Sequence, residues 1–330
     1  MLRLSPNQGL RFGQGALMDA TFGGAESNVA VALANYGLSS RYVTALPEHA
    51  IGQAAVNALR SFGVDTSHIL RQGERLGIYF LEHGASQRPS KVIYDRAGSS
   101  ISEIRPGQVD WDAVFNKAGW FHWTGITPAL SDSTAATTEE AVKAAHKAGV
   151  GISVDLNYRG KLWSKEKAQE AMAPLMQYVD IAIGNEEDFD KVFGIRAGET
   201  DVDAGELDIQ AYHDVARQAM ERFDFKMVAI TLRESISASD NMWSACLYNG
   251  EEFYLSKRYP IHIVDRVGGG DAFTAGLIFS LLSGKSPGEA LEFAVAASCL
   301  KQTISGDFNL VSAQEIQSLA EGNASGRIRR

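Results

Sequence analysis

Beyond Pro106 the chain settles into an alternation that few folds accept. Short apolar runs at 120–124, 151–156, 179–183 and 227–231 are separated by helical patterns at 132–148, 164–177 and 208–222. Strands alternating with helices imply a mostly parallel sheet, since parallel neighbours need a crossover and that crossover is right-handed. The polar residues at the ends of these runs carry the functional interest. Asn157 and Arg159 follow the second run, Asn185, Glu186, Glu187 and Asp188 the third, and Thr231 and Arg233 the fourth. In open parallel sheets the ligand crevice lies outside the carboxyl ends of the strands, where all of these would gather.

The first hundred residues read differently. The run at 41–46 predicts a strand, and 51–62 a helix ended by Gly63. The β-rich runs at 76–82 and 91–96 are joined by a polar loop containing Gly84 and Pro89, with no helix between them. They predict a small antiparallel sheet standing off the main body, a lid built mainly from about 71–100 with parts of the N-terminal segment. Met1 to Leu4 alternates apolar and polar like the tail of a strand whose first half is missing. Further on, Gly23 and Gly24 precede a helix with Val29, Leu33 and Tyr36 on one side. A tight turn is the ordinary use of such a pair, yet Asn28 falls on the first helical turn, within reach of a ligand above the glycines.

A second glycine-to-helix junction lies near the other end, at Asp265-Arg266-Val267-Gly268-Gly269-Gly270-Asp271. Three glycines let the backbone turn sharply with its N–H groups uncovered, and the helix that follows adds free N–H groups and a positive dipole end. That makes a cradle for an anion. Asp271 either complements the helix charge or has a chemical task in the cradle, such as accepting a proton from an attacking hydroxyl. Around it, runs at 243–248 and 252–255 predict a further antiparallel pair, and helices are expected at 271–283, 287–302 and 312–320. The acidic segment 199–208 reads as a solvated loop and 322–330 as a frayed tail. With no interdomain linker, residues 1–330 read as a single domain.

Composition excludes several functions. A net charge of −9 over 330 residues argues against nucleic-acid or anionic-membrane partners, so any anionic ligand must be drawn by local positive groups. No signal peptide and no membrane-spanning run is evident, and cytoplasmic residence is expected. Cys246 and Cys299 sit in apolar runs far apart, as buried hydrophobes in a reducing compartment. Gly284-Lys285-Ser286 imitates a phosphate-loop ending, but Phe279 stands where its first glycine belongs. Dinucleotide, nucleophile-elbow and protein-kinase signatures are absent, and no histidine sits at metal-ligand spacing. Acids at strand ends commonly hold Mg²⁺ through water, as a nucleoside triphosphate requires, although Glu186 and Glu187 equally suit a helix N-terminus.

Two segments together carry a resemblance. The pairing of 23–28 with 265–273 resembles the two signatures of the ribokinase-like carbohydrate kinase family, and 185–188 is similar to its Asn-x-x-Glu magnesium motif, with Asp188 in place of Glu. Segments 75–82, 84–90, 92–99, 155–159 and 306–309 resemble its 2-keto-3-deoxygluconate kinase branch. The resemblance implies a doubly wound α/β fold with a β lid often shared in a dimer or larger homo-oligomer. It also implies ATP and Mg²⁺ as cofactors and phosphorylation of the terminal hydroxyl of a sugar acid to its 6-phosphate. Asp271 would then be the catalytic base, with the amides of Gly268, Gly269 and Gly270 as anion hole. Gly24, Asn28, Tyr79, Tyr94, Arg96 and Arg159 would line the sugar pocket. The nucleotide would fall to Asn157, Arg159, Asn185, Thr231, Arg233, Gly268 and Gly270, and the metal to Asn185 and Asp188 through water. Arginine suits a substrate carboxylate because its planar fork binds one bidentately. Members usually have several more residues before 1–5, completing a central strand. A fructokinase- or ribokinase-like activity, or an idle sugar-binding relative, are the alternatives.

Overall fold

The computed structural model describes residues 1–7, 9–14, 17–196 and 209–323. The expected loop at 199–208 and the tail beyond 323 therefore lie outside the described residues. Strands β1 (Leu2–Pro6) and β2 (Met18–Phe22) are antiparallel, and β3 (Ala45–Leu46) and β4 (Leu70–Arg71) form a short parallel pair. Strands β5 (Ile78–Glu82) and β6 (Lys91–Asp95) complete a four-stranded sheet in the order β2-β1-β5-β6. The first strand thus belongs to the interior of the small sheet, where it runs parallel to β5, so the sheet is mixed and the purely antiparallel lid that was expected is corrected.

The main sheet comprises β7 (Trp120–Thr124), β8 (Gly151–Asp155), β9 (Ile181–Gly184), β10 (Met227–Ser235), β11 (Asp240–Tyr248), β12 (Phe253–Leu255) and β13 (Tyr259–His262). Neighbours run in the order β12-β11-β10-β9-β8-β7, with β13 also on β11. Strands β7 to β10 are parallel, as the alternation demanded, and β11 turns back antiparallel on β10. The helices are α1 (Ala25–Asn35), α2 (Ala50–Ser61), α3 (Trp111–Phe115), α4 (Asp132–Lys147), α5 (Lys165–Met172), α6 (Glu186–Phe193), α7 (Ile209–Phe223), α8 (Gly269–Leu282), α9 (Pro287–Lys301) and α10 (Ala313–Ala320).

Both faces of the main sheet are covered, which is why its strands read as continuous apolar runs. Ile152, Val154, Ala182, Val228 and Ile230 pack with Val142, Ala145 and Val215 of α4 and α7. Residues of opposite parity, Ile181, Ile183 and Ala229, meet Phe273, Leu277, Leu291 and Val295 of α8 and α9. Helix α8 approaches α9 so closely that a methyl on Gly276 would come 2.8 Å from Ala294 Cα. Neither cysteine is in a disulfide, and both are buried. No helix among the described residues is long and apolar enough to cross a membrane.

Among the boundaries that differ from expectation, three have a clear physical reason. The run at 41–46 yields only the two residues of β3 and an isolated bridge from Arg41 to Asp65, because its partner is equally short. The helix expected at 164–177 stays α-helical to Met172 and tightens into a 3₁₀ turn at Ala173–Tyr178, where Pro174 cannot donate the next helical bond. Strand β10 runs on to Ser235, since β11 pairs with it along its whole length while β9 ends opposite Ile230.

Candidate active site

That overrun shapes the site. Thr231 and Arg233 lie within β10, beyond the end of β9, so one hydrogen-bonding edge there is open to a crevice. The crevice lies between the small sheet, the N-termini of α1 and α8, and the carboxyl ends of β8 to β10, and is part of a cavity of ≈ 770 Å³ that continues past β7 toward α3 and α4. It is lined by Gly24, Asn28, Tyr79, Tyr94, Arg96, Asn157, Arg159, Asn185, Asp188, Thr231, Arg233, Gly268, Gly269, Gly270 and Asp271, so every residue to which the resemblance gave a site role lines it, whereas Glu187, expected at the same strand end, does not.

At the α8 end, Gly268 caps the helix at φ 81, and a methyl on it would come 2.2 Å from the Asp307 carbonyl oxygen. Only glycine fits. Gly269 rests on the Gln302 side chain, whereas a methyl on Gly270 would meet nothing within 4 Å. Among the described residues the amides of Gly268, Gly270 and Asp271 have no acceptor, whereas Gly269 N donates to Arg266 O at 3.3 Å, so the anion hole expected of Gly268, Gly269 and Gly270 is corrected by the loss of Gly269. The three free amides are the orphan donors of a helix start, turned toward the cavity.

The α1 end uses its glycines otherwise. A methyl on Gly23 would fall 1.9 Å from the Asp307 carboxylate, and Gly24 has φ 149. The Gly24 amide donates to Asn28 Oδ1 at 3.2 Å, and Asn28 Nδ2 donates to Asp271 Oδ2 at 2.6 Å. Asn28 thereby links the two junctions. Burial, aided by Asp307 and Glu26 and opposed by the Asn28 bond and by Arg159, raises the Asp271 pKa to about 7. Desolvation is the largest of these influences.

Opposite lie two guanidinium groups. Arg96 stacks over the Tyr94 ring at 4.2 Å, and its pKa is lowered by burial and by Arg159. Arg159 donates to the Tyr158 carbonyl, and among the described residues neither arginine has an acid within ion-pair distance. Arg233 and Arg266 form a similar pair beside the glycine turn, where burial and Arg233 lower the Arg266 pKa. Tyr79 lines the cavity, but its hydroxyl is committed to Asp307, at 2.6 and 2.7 Å from the two carboxylate oxygens.

Asn185 and Asp188 form a capping box on α6, each side chain accepting from the other's amide, at 2.9 and 3.1 Å. Asp188 also accepts from Tyr158 N at 2.9 Å. The helix-cap use of this pair is therefore real. It leaves a carboxylate buried near Asp155, and burial raises both pKa values, that of Asp155 further through Asp188 and Asp271. Asn157, at φ 40, has a buried Oδ1 without a partner among the described residues. Two desolvated carboxylates and an unpartnered amide oxygen fit a hydrated divalent cation, although no cluster of three or more His, Cys, Asp or Glu that could hold a metal exists among the described residues.

The model for pfkB family carbohydrate kinases matches residues 14–312. The chain belongs to that family. This kinase is 34% identical over 326 residues to a 2-dehydro-3-deoxygalactonokinase of Haloferax volcanii, covering 99% of this chain and 96% of the relative. A 2-dehydro-3-deoxygluconokinase of Thermoproteus tenax is 30% identical over 86% of this chain and 80% of its own. The crystal structure of a 2-dehydro-3-deoxygluconokinase from Thermotoga maritima superposes with a TM-score of 0.94 at 51% identity, covering 98% of this chain and 96% of that one.

Sequence reasoning missed part of the kinase's site. Arg3 bonds Asp265 at 2.6 Å and Asp307 at 3.0 Å, pinning the small sheet to the glycine loop. Glu26 accepts from Thr124 and Thr127, both at 2.7 Å, and lines the same cavity. For Asp155 a signal existed, an acid closing a buried apolar strand. Asp307 lay in the segment 306–309 without a role being assigned to it, and Arg3 gave no signal, since its partners lie hundreds of residues away.

Proposed function

We propose that this kinase phosphorylates the terminal hydroxyl of a 2-keto-3-deoxy sugar acid, 2-keto-3-deoxygluconate foremost, giving the 6-phosphate at the expense of ATP. The carrying observation is the Arg96 and Arg159 pair, two cations in the cavity wall with no acid within ion-pair distance among the described residues, Arg159 being felt only at longer range by Asp155, Asp188 and Asp271. A substrate carboxylate supplies what they lack, and a neutral sugar would leave two like charges facing each other. The names of the relatives support this reading. The Haloferax relative is named for the galactonate series, so the epimeric 2-keto-3-deoxygalactonate is the second substrate to test.

In this mechanism the sugar acid lies with its carboxylate toward Arg96 and Arg159 and its far hydroxyl at Asp271. Asn28 orients the carboxylate of Asp271, which takes the hydroxyl proton as the oxygen attacks the γ-phosphorus. The free amides of Gly268, Gly270 and Asp271 face the charge that develops on the phosphoryl oxygens. Arg233 and Arg266 receive the nucleotide phosphates, and Thr231 on the open edge of β10 lies beside the nucleotide. Mg²⁺, held through water by Asn185 and Asp188 near Asp155 and Asn157, would neutralise the β- and γ-phosphates. The exposed Met18, Ile93 and Tyr94 on the small sheet suit pairing with a second copy.

ADP release should be measured over both keto-deoxy acids, fructose and ribose. Turnover is expected with the acids, and Arg159→Ala should raise their KM about tenfold or more, the loss of a charge-assisted contact. Faster turnover of a neutral sugar, unaffected by Arg159→Ala, would sink the assignment.

A further inference from the structure

Lys301, the last residue of α9, is wholly buried, and among the described residues its ammonium has no carboxylate within ion-pair distance. Its donors go to three backbone carbonyls, those of Gly306 at 2.7 Å, Asp265 at 3.2 Å and Ile304 at 3.4 Å. An ammonium enclosed by carbonyl oxygens has the surroundings that a free monovalent cation of similar size, K⁺ or NH₄⁺, would accept. Here it is covalently tethered.

The cage touches the reaction site from behind. Asp265 opens the loop leading to the glycine triplet, and a methyl on Gly268 would come 3.2 Å from Lys301 Cε. The next residue holds the same loop, with Gln302 O accepting from Val264 N at 2.9 Å and Asp265 N at 3.1 Å. The front of this loop presents the amides without acceptors. Withdrawing an ammonium from water is costly, and an apolar side chain would fill the space without that cost. Burial lowers the Lys301 pKa, and Asp265, Asp307 and, more weakly, Asp271 counter it, so the charge is felt at the site. The structural alternative is charge balance, since Arg3 alone faces both Asp265 and Asp307.

We propose that Lys301 is a positioning residue for phosphoryl transfer, a tethered monovalent cation that holds the 264–270 loop in shape and sets a positive charge behind its amides. The proposal rests on the reading of residues 268–271 as the phosphoryl cradle. Lys301→Met keeps the length and removes the charge, and should lower kcat about 100-fold, the scale of losing one oriented donor, with the KM for the sugar largely unchanged. Lys301→Ala leaves a carbonyl-lined space of ammonium size. NH₄⁺ or K⁺ should restore most of its lost kcat, and tetramethylammonium at equal ionic strength should not. Wild-type enzyme should respond alike to all three ions.

A Lys301→Met enzyme with wild-type kcat overturns the proposal, as does a folded Lys301→Ala enzyme whose loss no small cation repairs. A wild type stimulated severalfold by K⁺ over tetramethylammonium also overturns it, and this measurement decides the matter if both variants fail to fold. Any sugar that the wild type phosphorylates serves in these assays. Failure here therefore leaves the substrate assignment untouched, and a failed substrate assignment leaves this test intact.

Discussion

The two glycine-to-helix junctions look alike in the chain and behave differently in the molecule. At α8 the glycines leave amides free for a ligand, whereas at α1 the Gly24 amide is consumed by Asn28 and Gly23 makes room for the Asp307 carboxylate. One junction offers backbone to an anion; the other spends its backbone on orienting a side chain. A glycine pair before a helix therefore specifies proximity, and the acceptors around it specify the chemistry.

The sharpest way to break the comparison is Asp271→Asn, which keeps the shape of the α8 junction and removes its base. Turnover should fall about 10³-fold, within the range for general-base loss, while substrate binding persists. A variant with wild-type turnover would end the assignment. The same substitution should act oppositely on stability. The folded pKa of Asp271, about 7, exceeds its unfolded value of about 3.9, so between these the native state keeps a proton that the unfolded state has released. Native stability falls as pH rises through that window, and the deficit is complete above it. Asp271→Asn should thus melt a few degrees above wild type at pH 8, with the difference vanishing toward pH 4.

Asn28→Ala cuts the link between the junctions and should lower kcat about tenfold to a hundredfold. Because the Asn28 bond holds the Asp271 pKa down, its loss should move the acid limb of the kcat/KM profile above its wild-type position near pH 7. A limb that stays in place or moves to lower pH would show that Asn28 does not tune the base. Smaller effects should separate two adjacent glycines. Gly270→Ala meets no atom within 4 Å and should leave the melting temperature alone while lowering kcat about tenfold by covering an amide. Gly268→Ala strikes a backbone carbonyl at positive φ and should cost about 2–4 kcal/mol in denaturant unfolding.

Strands covered on both faces were legible because burial favours apolar runs, and 120–124 matches β7 residue for residue even though His122 interrupts its run and only Trp123 and Thr124 are fully buried. The end of β10 was not, since only its pairing with β11 carries it to Ser235. Residues at strand ends could be gathered from topology alone, which is why Asn157, Arg159, Asn185 and Asp188 fell together. Lys301 was not legible: at a helix C-terminus it reads as an ordinary dipole complement, and its cage exists only in three dimensions. The strength of Asp271 as a base was hidden for the same reason, because desolvation depends on neighbours distant in the chain.

The ion pair between Arg3 and Asp307 spans 304 residues and thereby sets a timetable. A ribosome adding roughly 5–20 residues per second delivers the two partners roughly 15–60 s apart. Until then Arg3 lacks one of its two carboxylates, and Tyr79 lacks the only acceptor of its hydroxyl among the described residues. Docking of the small sheet against the glycine loop is accordingly a closing event of synthesis, and the reaction site is among the last parts of the molecule to exist.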